Sequence, residues 1–243
     1  PSPGFGPPSP GFGAASAASA PGLPGQSAVR PLPRDVKLSP ADAARQAAEL
    51  RKTVTVELPP NLELQLWASD ELIVDPVALE FDSRGTLYAT STSRNNMPLD
   101  IRDHPTWVPV VHTLKTVADL RAFYQKELAP ERSASNRWLP DLNQDGSHDI
   151  RDLRELKERL YRIEDTNGDG VADSSRIMIE GFNADPAYDI AGALLYDDGD
   201  LLISSAPGVW RLEDDNNDGT IDRQVVISEG YNTHPAFGGH GVS

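Results

Sequence analysis

"YRIEDTNGDGVADSSRIMIEGFNADPAY", residues 161–188, lines up residue for residue with "WRLEDDNNDGTIDRQVVISEGYNTHPAF" at 210–237. The copies share Arg162/Arg211, Glu164/Glu213, Glu180/Glu229, Gly181/Gly230, Asn183/Asn232 and Pro186/Pro235, with an aromatic residue at both ends. Each holds a nine-residue acidic stretch, "DTNGDGVAD" (165–173) and "DDNNDGTID" (214–222), offset by 49 residues (165 to 214). A period of that length, made of short strands and turns, is the size of one propeller blade. The repeat predicts a mainly β fold of partial, open β-propeller-like blades, each with an acidic loop joining two strands.

The spacing inside the stretch carries chemistry. Asp165, Asn167 and Asp169 alternate, Gly170 follows sixth and Asp173 ninth, which is most of an EF-hand loop, D-x-[DN]-x-[DN]-G. Side-chain oxygens at the odd positions can converge while glycine permits the sharp turn. The second copy supplies Asp214, Asn216, Asp218, Gly219 and Asp222. A third match, "DLNQDGSHDIRD", supplies Asp141, Asn143, Asp145, Gly146 and Asp149, with Asp152 in the twelfth place. The seventh residue of such a loop offers a main-chain carbonyl, here Ser147, Val171 and Thr220. Asn, Asp and Gly also favour turns without any metal, so a single loop would be ambiguous. Three in one register point to Ca²⁺ at up to three sites. Arg176 and Val225 stand where the bidentate twelfth ligand belongs, so weak affinity is expected, on the order of 10⁻⁴ to 10⁻³ M. Loop 141 has His148 in the eighth position, which is usually apolar.

The formal charge of −15 over 243 residues argues against nucleic acid or an anionic membrane surface as a partner. With no cysteine, disulfides, thiolate zinc, iron–sulfur clusters, C-x-x-C-H haem and a cysteine nucleophile are all excluded. No run of 18 apolar residues offers a membrane span. Loops of this truncated type suit a calcium-rich setting, so an extracytoplasmic location is expected, and the opening residues are expected to be a mature or trimmed terminus.

Residues 1–38 form a Pro/Gly-rich arm in which "PSPGFGP" is followed at once by "PSPGFG". Ten prolines and six glycines in the first 40 positions cannot build a core. Such an arm is ordered only against another surface, so a protein partner is expected, with Phe5 and Phe12 as its anchors. "SPADAARQAAELRK" predicts a helix over 39–53 with Ser39 as N-cap and Pro40 in the first turn. Period-two alternation predicts strands at 54–58, 62–68 and 76–91, giving a first blade over 54–94, and again at 192–205.

Residues 95–160 change character. Thr116 and Asp119 cap a helix whose Val117, Leu120, Phe123 and Leu128 share a stripe that Pro130 ends. Loop 141 then leads into "DIRDLRELKERLY", whose Ile150, Leu153, Leu156 and Leu160 also share a helical face. The expectation is a helical insertion clipped by one half EF-hand of dockerin type, followed by the repeated blades over 161–243.

"LPPNLELQLWASDELIVDPVALEFDSRGTLYATS" with "RIEDTNGDGVAD" resembles the N-terminal propeller of large extracytoplasmic bacterial haem-binding proteins related to the glucose/sorbosone dehydrogenases. The resemblance covers about residues 54–94 and 161–243. It implies a periplasmic or cell-surface setting and association with electron transfer, and it carries over no catalytic residue. About 124 residues of blade remain from residue 54, between two and three blades at roughly 40 to 50 each and short of the four of the smallest ring, so either more chain or a partner is expected to cover the exposed strand edge.

The leading functional expectation is therefore a non-catalytic, calcium-stabilised binding subunit, docked through its arm on a larger assembly such as a membrane electron-transfer complex. One alternative is a fragment of a quinone- or haem-dependent sugar or alcohol dehydrogenase, with His234 and His240 in "NTHPAFGGHGVS" as candidate bases or ligands. Another is a calcium-dependent carbohydrate-binding or adhesion module, in which Trp67, Trp107, Trp138 and Trp210 stack on sugars; core or interface packing is the commoner use of tryptophan.

Overall fold

The computed structural model describes residues 34–94, 99, 101–182, 185–197 and 199–231. Phe5, Phe12, His234 and His240 lie outside these residues. Within them the fold is mainly β, with two antiparallel sheets, a few helices and no closed barrel.

After the short strand β1 (Asp35–Lys37) comes helix α1 (Pro40–Thr53). The Ser39 side chain accepts the Asp42 N–H at 3.1 Å and Pro40 opens the first turn, as the capping chemistry predicts. Strands β2 (Pro76–Phe81) and β3 (Leu87–Thr92) form a hairpin. Strands β4 (Glu158–Glu164) and β5 (Ser174–Gly181) complete the first sheet, and β1 adds to the free edge of β5. The second sheet is an uninterrupted meander of β6 (Ala191–Asp197), β7 (Asp200–Ser205), β8 (Gly208–Glu213) and β9 (Arg223–Glu229). Each sheet is thus built on four strands in chain order, and the acidic stretch is the loop between the third and fourth.

The runs 54–58 and 62–68, predicted as strands, have no ladder partner. A strand forms only where its N–H and C=O groups find a ladder, and it is β1, not this segment, that takes the edge of β5. The segment instead lies across the first sheet, where Trp67 and Ala68 pack with Leu72, Leu87, Tyr161 and Ile163, and the Trp67 carbonyl accepts the Ala172 N–H at 2.7 Å.

Residues between β3 and β4 carry their own core. Helix α3 (Val117–Glu127) has the predicted capping box, with Asp119 N–H to Thr116 Oγ1 at 3.1 Å and Thr116 N–H to Asp119 Oδ2 at 2.9 Å. Its Leu120, Phe123 and Tyr124 pack with Trp107, Leu139, Leu153 and Leu156. The helix predicted over "DIRDLRELKERLY" is reduced to a 3₁₀ turn at Asp152–Glu155 before β4 begins. The spacing of Leu156 and Leu160 fits a period of two as well as a helix, and β3 and β5 capture the chain from both sides. Leu156 consequently faces the insertion core, and Leu160 faces the second sheet.

Between the sheets, Tyr88, Leu160 and Met178 of the first meet Leu201, Ile203 and Leu212 of the second. At one end of this layer the buried Glu158 ties three elements together. Its Oε2 accepts the Ala191 N–H at 3.0 Å, its Oε1 accepts the Thr92 hydroxyl at 2.8 Å, and the buried Arg94 guanidinium lies 3.7 Å from both Glu158 and Asp189. Burial pushes the Glu158 carboxyl up against these bonds.

Candidate functional site

The three acidic loops share one internal scaffold. In each, the N–H of the fifth residue donates to the carboxylate of the first and to the amide oxygen of the third, the sixth N–H donates to the first carboxylate, and the seventh N–H donates to the fifth. In loop 165 these are Asp169 to Asp165 and Asn167, Gly170 to Asp165, and Val171 to Asp169, at 2.8 to 3.3 Å. In loop 214 they are Asp218 to Asp214 and Asn216, Gly219 to Asp214, and Thr220 to Asp218, at 2.8 to 3.1 Å. In loop 141 they are Asp145 to Asp141 and Asn143, Gly146 to Asp141, and Ser147 to Asp145, at 2.9 to 3.1 Å. The sixth glycines need their freedom, since Gly146, Gly170 and Gly219 all have positive φ (83°, 92° and 81°).

The loops differ in how they close. Loops 165 and 214 fill the nine residues between β4 and β5 and between β8 and β9. Their ninth aspartates reach back to the second residue: Asp173 accepts the Thr166 N–H and hydroxyl at 2.8 to 3.0 Å, and Asp222 accepts the Asp215 N–H at 3.0 Å. The ninth N–H groups continue the ladder, Asp173 to the Glu164 carbonyl and Asp222 to that of Glu213. In loop 141 the twelfth residue takes over. Asp152, fully buried, accepts the N–H groups of Leu142, Asn143 and Asp149.

The electrostatics differ too. In loop 141 the Arg151 guanidinium bonds Asp145 at 2.9 Å, Asp149 at 2.7 Å and the Ser147 hydroxyl at 3.0 Å. Arg151 holds the Asp149 carboxyl at about 2, below the usual range. In loop 165 partial burial pushes Asp165 up, but the N–H groups of Gly170, Gly168 and Asp169 outweigh it and hold that carboxyl low. Among the described residues, no arginine or lysine side chain forms an ion pair with Asp165, Asp169, Asp214 or Asp218. Arg223 instead pairs with Asp215 and Glu213.

Loop 214 also joins the sheets. The Ile221 N–H donates to the Met178 carbonyl at 3.1 Å, and the Arg176 guanidinium donates to the Asp218 carbonyl while pairing with Asp35 at 2.9 Å. Arg176 is the residue in the twelfth position of loop 165, so this position serves the neighbouring loop. The role of Arg176 went unread in the sequence because it depends on which loop lies beside β5. Arg151, by contrast, stood in plain view two residues after Asp149.

No three His, Asp or Glu side chains gather into a metal-holding group among the described residues. The side-chain oxygens of the loops are held in place by main-chain N–H groups. The tryptophans are packed: Trp107 lies against His104, Trp138 and Phe123, Trp67 against Phe81, and Trp210 against Phe182 and Tyr188. Among the described residues no helix is long and apolar enough to cross a membrane.

Fold and loops together define a class: paired four-stranded meanders, each closed between its last two strands by an acidic nine-residue turn. The chain belongs to the family described as a domain of unknown function (DUF7133), whose match spans residues 51–237. No curated protein and no solved structure matches it significantly.

Proposed function

We propose that this chain is a non-catalytic, calcium-stabilised structural and binding subunit of a larger extracytoplasmic assembly, with its two sheets as adjacent blades of an open β-propeller. The observation that carries the reading is the repetition of one hydrogen-bonded loop scaffold at the same place in two stacked meanders. There the carboxylates of the first and fifth residues, the Asn amide oxygen of the third and the main-chain carbonyl of the seventh form an all-oxygen donor set suited to a hard cation. Because main-chain N–H groups already orient the side-chain oxygens, binding requires little rearrangement, and the ion relieves repulsion between carboxylates that form no ion pair with a described basic side chain.

The assembly part of the reading rests on uncovered apolar surface at both ends of the stack. Leu79 and Phe81 are exposed on β2, and Leu195 and Val225 on the outer face of the second sheet. In a propeller such faces are covered by neighbouring blades. The resemblance to extracytoplasmic haem-associated propellers supports the same setting.

Thermal melting with a chelator and then with millimolar calcium tests the metal. The expected result is a lower melting temperature in chelator that calcium restores, because an ion bound only by the folded form stabilises by mass action. An unchanged melt leaves the loops as metal-free turns and removes the calcium reading.

A further inference from the structure

Between loop 141 and the 3₁₀ turn Pro130–Ser135 lies an open bowl of about 660 Å³, within the roughly 300 to 1,000 Å³ of small-molecule sites. Its walls are tied to each other and to the insertion. The His148 N–H donates to Ser133 Oγ at 2.9 Å, the His148 ring Nδ1 lies 2.7 Å from the Leu139 carbonyl, and the Asn136 amide donates to the Glu127 carbonyl at 2.9 Å. A carbonyl only accepts, so Nδ1 carries the proton and Nε2 of the neutral ring is left as an acceptor. This accounts for the histidine in the eighth position of loop 141, where an apolar residue is usual: its side chain lines the bowl.

Two opposite charges, Glu131 and Arg137, line the same bowl. Both are exposed, they do not reach each other, and neither forms a hydrogen bond or ion pair with a described residue. Every other arginine whose side chain is described is engaged; Arg132, in the same turn, pairs with Glu127 at 2.7 Å, and Arg151, in loop 141, pairs with Asp145 and Asp149. With 22 basic residues against 37 acidic ones, cations are scarce in this chain, and a guanidinium left free beside a free carboxylate is the exception. Pro130 and Ala134 add apolar surface to the wall.

We propose that this bowl is a binding site for a small zwitterion, an α-amino acid with an apolar side chain. The ligand carboxylate takes parallel N–H donors of the Arg137 guanidinium, the ammonium group donates to the Glu131 carboxylate, and the side chain lies against Pro130 and Ala134. Complementarity selects this class. A simple anion satisfies Arg137 and is repelled by Glu131, a metal cation does the reverse, and a neutral sugar compensates neither charge. The site uses none of the odd-position oxygens of loop 141, so it does not rest on the calcium reading.

Saturation-transfer NMR and calorimetric titration of the full chain with L-leucine test this. Leucine should bind saturably at millimolar concentration. N-acetyl-leucine, which lacks the ammonium group, and leucine methyl ester, which lacks the carboxylate, should each bind at least roughly tenfold more weakly. Arg137→Gln should abolish the preference for leucine over its ester, and Glu131→Gln the preference over the N-acetyl compound. Both side chains are exposed and unpaired, so both variants should melt with the wild type. Absence of saturable leucine binding to the wild type, equal binding of the three compounds, or a folded Arg137→Gln chain that still prefers leucine to its ester would each overturn the proposal.

Discussion

Loops 141 and 214 are nearly the same motif in two settings. Both hold the same four internal N–H to side-chain contacts, and both turn on a glycine of positive φ. Loop 214 is a hairpin tip at the surface whose first and fifth carboxylates form no ion pair with a described side chain. Loop 141 is folded into the insertion, with Leu142 and Leu153 in its core and a guanidinium among its acids. The difference teaches that a ligand pattern specifies a backbone shape, while the surroundings decide which side chains lie against its carboxylates.

The largest effect that would sharpen this contrast is expected from Asp152→Ala. It leaves the buried N–H groups of Leu142 and Asp149 and the half-buried one of Asn143 without their acceptor, at a cost of about 3 kcal/mol. The equivalent closure in loop 214 accepts one main-chain N–H at the surface, so Asp222→Ala should cost about 1 kcal/mol. Urea denaturation of both variants measures the gap, and equal losses would erase the distinction.

Acid comes next. The carboxyl of Asp149 lies at about 2 in the folded chain, below its unfolded value. Its contribution is therefore present above pH ~4 and lost as pH falls through the folded value, amounting to about 2 kcal/mol. Arg151→Gln removes the guanidinium that causes the shift. Stability curves from pH 5 to pH ~2 should then lose this acid limb, and an unaltered curve would show that Arg151 is not its source.

Calcium probes the opposite member of the pair. At a concentration 10 to 100 times a weak dissociation constant, each occupied loop should contribute roughly 1.4 to 2.7 kcal/mol. Asp218→Ala should remove one such increment from the calcium-dependent rise in melting temperature, Asp169→Ala another, and Asp145→Ala none while Arg151 is present. If Asp145→Ala abolishes as much of the response as Asp218→Ala, loop 141 is a metal loop like the others.

The smallest effect separates the two glycines. A methyl group on Gly146 meets open space, so Gly146→Ala should cost only the left-handed backbone strain, about 1 kcal/mol. On Gly219 it would lie 3.1 Å from the Arg176 side chain, adding steric pressure on the contact between the sheets. Thermal melts should therefore place Gly219→Ala below Gly146→Ala.

Much of this architecture was legible in the residues because its signals are local. Ser39 with Pro40 and Thr116 with Asp119 announce their helices through bonds made within a few positions. The acidic hairpins were legible as repeats because turn geometry depends on residues inside the turn. Runs 54–58 and 62–68 misled because alternation marks a chain able to be a strand, and only the free edges of the sheet decide whether it becomes one. The "DIRDLRELKERLY" stretch misled because leucines four apart serve two periods at once. The bonds of Glu158 to Ala191 and Thr92 join residues 33 and 66 positions away, beyond any local pattern.

By itself the sequence determined the loop scaffolds, the capped helices and the repeat, since each rests on contacts between residues close along the chain. Only the tertiary structure decided which edge β1 takes, that the insertion enters between the second and third strands of its sheet, and that the Arg151 guanidinium lies against both Asp145 and Asp149. Those outcomes depend on competition between distant segments for the same edges and charges, and such competition is settled only when the segments are packed together.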